Sequence, residues 1–330
     1  MNKKVLITLA TGKTGYATTK QLLQEGYPTR IYVRSKNQRA MELEKLGAEI
    51  VLGDFNNKQQ LRKAMDGIQN VYYCYPYKSG MSDDIMLFID VAKEAKINAV
   101  IFMGQFIAEF EDTGSALTNE IRKSYSILEK SGLNVVYFVP PYFADNAFVI
   151  AEYVLQLGLM PNPFGKGRNP WISINDMSRC IIALLKSPEP YFAQRLFAIG
   201  PTSISPTEMA EIFSKVRGKK VIKVDIPDWL FFKAGIMSGK DFGFDQFAIV
   251  QAAFYNKQMQ MNRFDIKPTN IVKQLTGIEP EDFETITKQY FNNSNFKNRT
   301  FLTWLTSFIK FSKMPFTKVP GKKEQIVINK

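Results

Sequence analysis

Up to about residue 140, short runs of β-branched and other apolar residues alternate with longer segments whose apolar positions recur every three or four residues. The runs at residues 5–8, 29–33, 48–52, 70–74, 99–103 and 134–139 are read as strands and the segments between them as helices. Strand and helix in strict alternation predict an α/β fold, a Rossmann-type doubly wound parallel sheet with right-handed crossovers and helices on both faces. Ligands of such sheets sit beyond the carboxyl ends of the strands. That rule selects residues 9–15, 34–39, 54–55, 75–80, 104–109 and 140–146 as the places to look for chemistry. After Pro140 the pattern weakens. Pro161, Pro163, Gly165, Gly167 and Pro170 mark a loop, followed by a strand-like piece, a helix from Asp176 and a last strand at Arg195–Ile199. From Pro206 onward the chain reads as mostly helical and richly aromatic, a smaller C-terminal lobe over the strand ends. The expected division is residues 1–146 with about 166–200 in the sheet domain, about 147–165 with 201–295 in the lobe, and 296–330 as a basic aromatic helix and tail.

Composition narrows the choice. The 330 residues, 45% of them hydrophobic, suffice for a full core. Two distant cysteines, Cys74 and Cys180, fit a reducing compartment, and a cytoplasmic location is expected. The apolar run after the basic start is too short for a signal peptide and leads into a Gly-rich turn, so it is read as the first strand. No apolar stretch reaches the ~18 residues of a spanning helix. Histidine is absent, which removes Ser-His-Asp and Cys-His hydrolases, His-ligated metals and any His general base; no metal site is expected. The net charge of +12 is concentrated, with eight Lys or Arg against one acid in residues 297–330. No helix-turn-helix or zinc pattern accompanies it, and specific nucleic-acid binding is not expected.

The segment Thr11-Gly12-Lys13-Thr14-Gly15 joins the first strand to a helix. In that context glycines let backbone approach a pyrophosphate, and the helix N-terminus offers unpaired N–H groups to the anion. Lys13 and Thr14 add a charge and a hydroxyl. A plain βα turn without ligand explains the same glycines. After the second strand stands Arg34, followed by Lys36 and Arg39, where an NAD-preferring site carries an acid. A planar guanidinium suits a 2′-phosphate, so NADP is favoured, with NAD the other possibility.

Several runs in order, TGKTG, YVRS, LGAEIVLGDFNNKQQLRKAMDGIQNVYY, FIDVAKEAKINAVIF, EKSGLNVVYFVPPYFADN and GKGRNPWISINDMSRCIIALL, resemble the NmrA-like group of atypical short-chain dehydrogenases/reductases over roughly residues 4–225. The resemblance is greatest to its festuclavine dehydrogenase and NAD(P)H:quinone oxidoreductase branch. It implies NADP along the Gly loop with Arg34 at the adenosine phosphate and Asp54 and Phe55 near the adenine. It further implies Tyr75 and Pro76 at the ribose and pyrophosphate, Gly104 and Gln105 at the nicotinamide ribose, and Pro141, Tyr142 and Phe143 at the nicotinamide face. Asp176 matches a helix-capping Asp. The chain departs from the pattern at Leu9, where the group has its first loop glycine, and at Ile121, where members carry His or Lys. It departs again at Tyr125, where an acid is usual; that tyrosine is followed four residues later by Glu129 and not by the Lys of a Tyr-x-x-x-Lys pair.

Tyr125 and Lys123 are thus the remaining candidate proton donors, each equally readable as an ordinary helix residue. Two functions follow. One is an NADPH-dependent oxidoreductase acting on a small, apolar or aromatic acceptor such as a quinone, imine or carbonyl, with an open pocket beside residues 141–143. The other is a noncatalytic NADP sensor that regulates a protein partner. The aromatic runs at residues 229–237, 242–247 and 254–261 either line that pocket or form core. The segment at 299–316 either packs on the lobe or lies on an anionic membrane surface.

Overall fold

The computed structural model describes residues 4–76, 80–110, 114–238 and 245–319. Its centre is a seven-stranded parallel sheet in the order β3-β2-β1-β4-β5-β6-β8. The strands are β1 (Val5–Thr8), β2 (Thr29–Val33), β3 (Glu49–Leu52), β4 (Asn70–Tyr73), β5 (Ala99–Met103), β6 (Val135–Phe138) and β8 (Arg195–Leu196). The expected α/β class is the observed one. The order reverses between β1 and β4, and in sheets of this kind the ligand crevice lies beyond the strand ends at that switch.

Side-chain alternation explains why the strands are apolar on both faces. Leu6, Tyr32, Val71, Tyr73, Val100, Phe102 and Tyr137 enter one core. Helices α3 (Lys58–Met65), α4 (Met81–Glu94) and α5 (Ala116–Glu129) cover that side. Val5, Ile7, Ile31, Tyr72, Ile101, Val136 and Phe138 enter the other core. There α1 (Lys13–Gln24), α2 (Gln38–Lys45) and α7 (Ile174–Lys186) close the layer. Arg30 is the charged exception in β2. It is buried, ion-paired to Glu49 at 2.8 Å, and donates to the carbonyls of Ala64 and Asp66 at 2.9 and 2.7 Å, satisfying the C-terminal end of α3.

The second half departs from the sequence expectation in its strands. Within the loop marked by prolines and glycines, β7 (Leu159–Asn162) pairs in parallel with β9 (Ile222–Asp225) to form a separate two-stranded sheet. The strand-like piece at 171–173 joins no ladder, and only Arg195–Leu196 of the last predicted strand pairs with β6. Five further helices complete the described C-terminal part: α8 (Pro206–Arg217), α9 (Asp228–Ser238), α10 (Gln246–Gln260), α12 (Phe283–Asn293) and α13 (Phe301–Lys313), with the short α6 (Ala151–Leu157) and α11 (Ile271–Thr276) beside them. Among the described residues no helix is long and apolar enough to cross a membrane.

Candidate functional site

The loops after β1 to β6 follow the strand ends. At the switch, Thr8 is fully buried and laces β1 to β4. Its hydroxyl accepts the N–H of Cys74 and donates to the Cys74 carbonyl, both at 2.8 Å. The chain then turns through Leu9, whose φ of +48° lies in the left-handed region that glycine adopts without cost. The Leu9 carbonyl accepts the N–H of Gly12 at 2.9 Å, closing the loop.

Space demands glycine at position 15 and is tight at position 12. A Cβ on Gly15 would stand 2.5 Å from the Leu9 oxygen and 2.9 Å from the Ala10 Cα, so only glycine lets α1 sit this close to β1. A Cβ on Gly12 would meet the Leu9 oxygen at 3.1 Å and the Leu9 Cγ at 3.3 Å, which places the leucine side chain against the loop. The N-terminus of α1 carries no side-chain cap and no acid in its first turn. By contrast Asn37, Asn57, Ser115, Ser173 and Ser205 cap α2, α3, α5, α7 and α8. The uncapped N–H groups of α1 and its dipole therefore face the crevice as an anion-attracting end.

Around this loop the side chains are held in place. Thr14 is buried and accepts the Tyr72 hydroxyl at 3.1 Å. Lys13 reaches Asp145 at 3.5 Å, beyond the end of β6. Arg39 donates to the Thr11 carbonyl at 3.0 Å and lies over the Tyr16 ring at 5.5 Å, while the Tyr16 hydroxyl donates to Glu42 at 2.8 Å. Thr8, Tyr72 and Tyr16 were not singled out from sequence, where they read as ordinary strand and helix residues. Burial pushes the Cys74 thiol up to about 11, which keeps it protonated and removes it as a nucleophile.

At the end of β2 Arg34 is exposed and, among the described residues, makes no hydrogen bond or ion pair, whereas Lys36 is engaged by Glu44 at 2.6 Å. Its fork of donors remains available. At the end of β3 the Tyr32 hydroxyl donates to the Asp54 carbonyl at 2.7 Å, and the Asp54 carboxylate accepts the N–H of Phe55 at 2.7 Å. The Phe55 ring is buried in an aromatic cluster, 5.7 Å from Tyr32 and 5.1 Å from Tyr75, so its ring faces the core and not the crevice. Tyr75 is likewise buried, with its hydroxyl on Asp84 at 2.5 Å; Pro76 beside it is half-buried.

Gly104 and Gln105 are organised by Tyr125. The tyrosine hydroxyl accepts the Gln105 N–H at 3.0 Å, and a Cβ on Gly104 would stand 2.3 Å from that hydroxyl. Its ring is buried, edge-on to Phe102 and Tyr137, with the Arg195 guanidinium 5.0 Å above it. Burial drives the phenol well above its ordinary value. Tyr125 thus braces the loop that follows β5. Lys123 is exposed and paired with Glu120 at 3.2 Å, the solvated-face alternative. Among the described residues the buried Gln105 side-chain oxygen has no hydrogen-bond partner.

At the end of β6 Pro141 is buried, and Tyr142 and Phe143 are half-buried. Tyr142 packs against Tyr255 of α10 at 5.5 Å and Phe264 at 6.0 Å, and against Trp171 at 5.7 Å. Of the three aromatic runs, that at 254–261 therefore contributes to the packing over residues 141–143. Phe232 of the first run is buried in a separate small cluster, and Phe242 to Phe244 of the second lie outside the described residues. A cleft of about 460 Å3 is lined by Asp145, Phe148, Ser173, Asn175, Glu281 and Tyr290, and Pro141, Tyr142 and Phe143, beside which the pocket was expected, are not in its lining. Asp176 differs from its expected role. Ser173 caps α7, while Asp176, three residues later and fully buried, accepts the Glu281 N–H at 2.8 Å and pairs with Arg179.

With this geometry in view, the sequence profile of the NmrA-like family matches residues 1–286. The Prestalk A differentiation protein A of Dictyostelium discoideum is 24% identical over 297 residues, covering 88% of this chain and 93% of that one. The fold is shared with an NADPH-dependent quinone oxidoreductase of Escherichia coli complexed with NADPH (TM-score 0.73, 18% identity, 87% of this chain and 100% of that chain). It is equally shared with Nmra, a negative transcriptional regulator (TM-score 0.73, 14% identity, 90% and 100%).

Proposed function

Since the chain belongs to the NmrA-like family, we propose that it binds NADP(H) across the β1–β4 crevice and works as an NADPH-dependent oxidoreductase of a small organic acceptor. The observation that carries this reading is the loop itself, in which the uncapped α1 N-terminus and the glycine cradle at Gly12 and Gly15 coincide with a free guanidinium at Arg34. The residues present fit the cofactor. Main-chain N–H groups of Lys13, Thr14 and Gly15 would take the pyrophosphate, with Thr11 and Gly12 forming the turn beneath it. Arg34 would clamp the 2′-phosphate in bidentate fashion, which selects NADP over NAD. Asp54 and the Phe55 backbone would border the adenine, and Tyr75 and Pro76 the ribose. Gly104 and the unpartnered oxygen of Gln105 would meet the nicotinamide end, with Pro141 to Phe143 behind it.

When bound, the cofactor supplies hydride chemistry; the protein supplies position and water exclusion. Such chemistry suits an acceptor that needs little proton donation, a quinone or an iminium ion, because Tyr125 is occupied as a strut and Lys123 points to solvent. The test is consumption of NADPH by the purified protein in the presence of benzoquinone, an iminium and an aldehyde. Saturable oxidation with one of these probes supports the enzyme.

One observation favours a second reading. Tyr255 and Phe264 of the C-terminal part pack directly on Tyr142, so the state of the cofactor would be felt there through aromatic contacts. In that case the protein is a noncatalytic NADP sensor acting on a protein partner. Tight NADPH binding with no oxidation by any probe assigns this role.

A further inference from the structure

Helix α13 is docked in an unusual sense, with its polar side inward. Ser307 donates to one carboxylate oxygen of Glu152 at 3.0 Å and Lys310 to the other at 2.9 Å. Thr303 donates to Gln156 at 2.8 Å, and Arg299 donates to the Gln156 carbonyl at 2.9 Å. Glu152 and Gln156 lie on α6 and are buried. Turning the helix about its axis would strand the Glu152 carboxylate without partners, so this orientation is fixed.

The outward side is the apolar one. Phe301, Leu302, Leu305, Phe308 and Ile309 recur at the spacing of a single helical stripe. Phe301 is 76% and Leu302 71% exposed, and Phe308 and Ile309 are exposed with them. Phe301, Trp304 and Phe308 stack along the helix with ring centroids 6.1 and 5.4 Å apart. In the turn that follows, Phe316 is 83% exposed. Contiguous exposed apolar surface of this kind marks an interaction site. Its setting is basic. Residues 301–319 contain no Asp or Glu, Lys313 and Lys318 are exposed within them, and residues 320–330 add three lysines and one glutamate.

We propose that the outer face of α13 seats the protein on an anionic lipid surface. The aromatic and aliphatic side chains enter the interfacial layer, and the lysines meet headgroup phosphates. Charge selects this occupant over a second copy of the chain. Two α13 faces brought together would oppose lysines with lysines, and neither stripe offers a carboxylate to relieve them. Attachment is peripheral, with α6 holding the helix flat by its Glu152 and Gln156 contacts.

The test is sedimentation of the full chain with vesicles of phosphatidylcholine alone and of phosphatidylcholine with phosphatidylserine. Binding to the phosphatidylserine vesicles is expected, weaker on phosphatidylcholine alone and falling as salt is raised. Leu302→Ser with Phe308→Ser removes exposed side chains, so the melting temperature should hold while vesicle affinity falls about tenfold or more. Lys313→Gln with Lys318→Gln should weaken binding to the anionic vesicles by about tenfold and leave phosphatidylcholine unaffected. No sedimentation with either vesicle, or unchanged sedimentation of the Leu302/Phe308 variant, overturns the proposal. A dimer in solution that this variant converts to monomer, with no vesicle binding by the parent, overturns it equally and makes the stripe a self-interface.

Discussion

Leu9 stands at the turn on which the cofactor loop depends, and its substitution separates backbone strain from side-chain occlusion. Its φ of +48° costs a residue with a Cβ about 1–2 kcal/mol. Leu9→Gly removes that strain, at about 0.4–1 kcal/mol for the extra freedom of glycine in the unfolded chain. It also forfeits about 1 kcal/mol of apolar burial, since the side chain is only half-buried. These terms nearly cancel, and Leu9→Gly should lie within about 1 kcal/mol of the parent in urea unfolding. Leu9→Ala keeps the left-handed backbone and loses the burial, so it should be the less stable of the two by about 0.5–1 kcal/mol. Binding should move differently. The Leu9 side chain lies against Gly12, where an anion would approach, and removing it should tighten NADPH binding about tenfold, or ~1.4 kcal/mol, in calorimetric titration. Equal stability of the glycine and alanine variants would refute the strain. An unchanged dissociation constant in Leu9→Gly would refute the occlusion.

Two further substitutions probe residues outside the cofactor loop. Tyr125→Phe leaves the buried Gln105 N–H without its acceptor and should cost about 1–3 kcal/mol of stability, while turnover at saturating NADPH and its pH profile stay within about threefold. A proton donor at that position would instead lose about a hundredfold in rate. Glu208 is held down to about 2 by the Ser205 N–H and hydroxyl and by Arg168. Because its folded value lies below the unfolded one, it adds stability above about pH 4.3 that is lost as pH falls toward 2. Its side chain is nearly half exposed, and solvent screens the charge. Glu208→Gln should cost about 1 kcal/mol near pH 7, and the gap should narrow near pH 3. A gap that stays constant with pH would show that the carboxylate charge contributes nothing.

The main sheet was legible because its central strands β1, β4, β5 and β6 are buried on both faces and read as largely apolar runs; β1, β2 and β5 fall on the predicted residues. The β7–β9 pair was not. Leu159–Asn162 contains a proline inside a Gly/Pro-rich stretch, and Ile222–Asp225 is exposed or half-buried and alternates with charges, so neither carries a strand signal. The Gly loop could be read because space at Gly12 and Gly15 leaves a fixed spacing in the sequence. The strut role of Tyr125 could not, since it depends on which face of α5 meets Gln105 across 20 positions of chain. The capping of α7 by Ser173 did have a signal, the Ser-x-x-Asp spacing ending at Asp176, where a Ser N-cap precedes an acid at the third position. For α13 the stripe was visible but its direction was not, because only the buried Glu152 and Gln156 reveal that the polar side turns inward.

The most direct measurement of the central claim is calorimetric titration of the protein and of Arg34→Ala with NADPH and NADH. Micromolar NADPH binding that weakens tenfold or more in Arg34→Ala, with NADH affinity unchanged, is the result expected when a guanidinium clamps the 2′-phosphate (~1.4 kcal/mol or more). Equal binding of NADPH by both proteins, or no binding of either nucleotide, would contradict it.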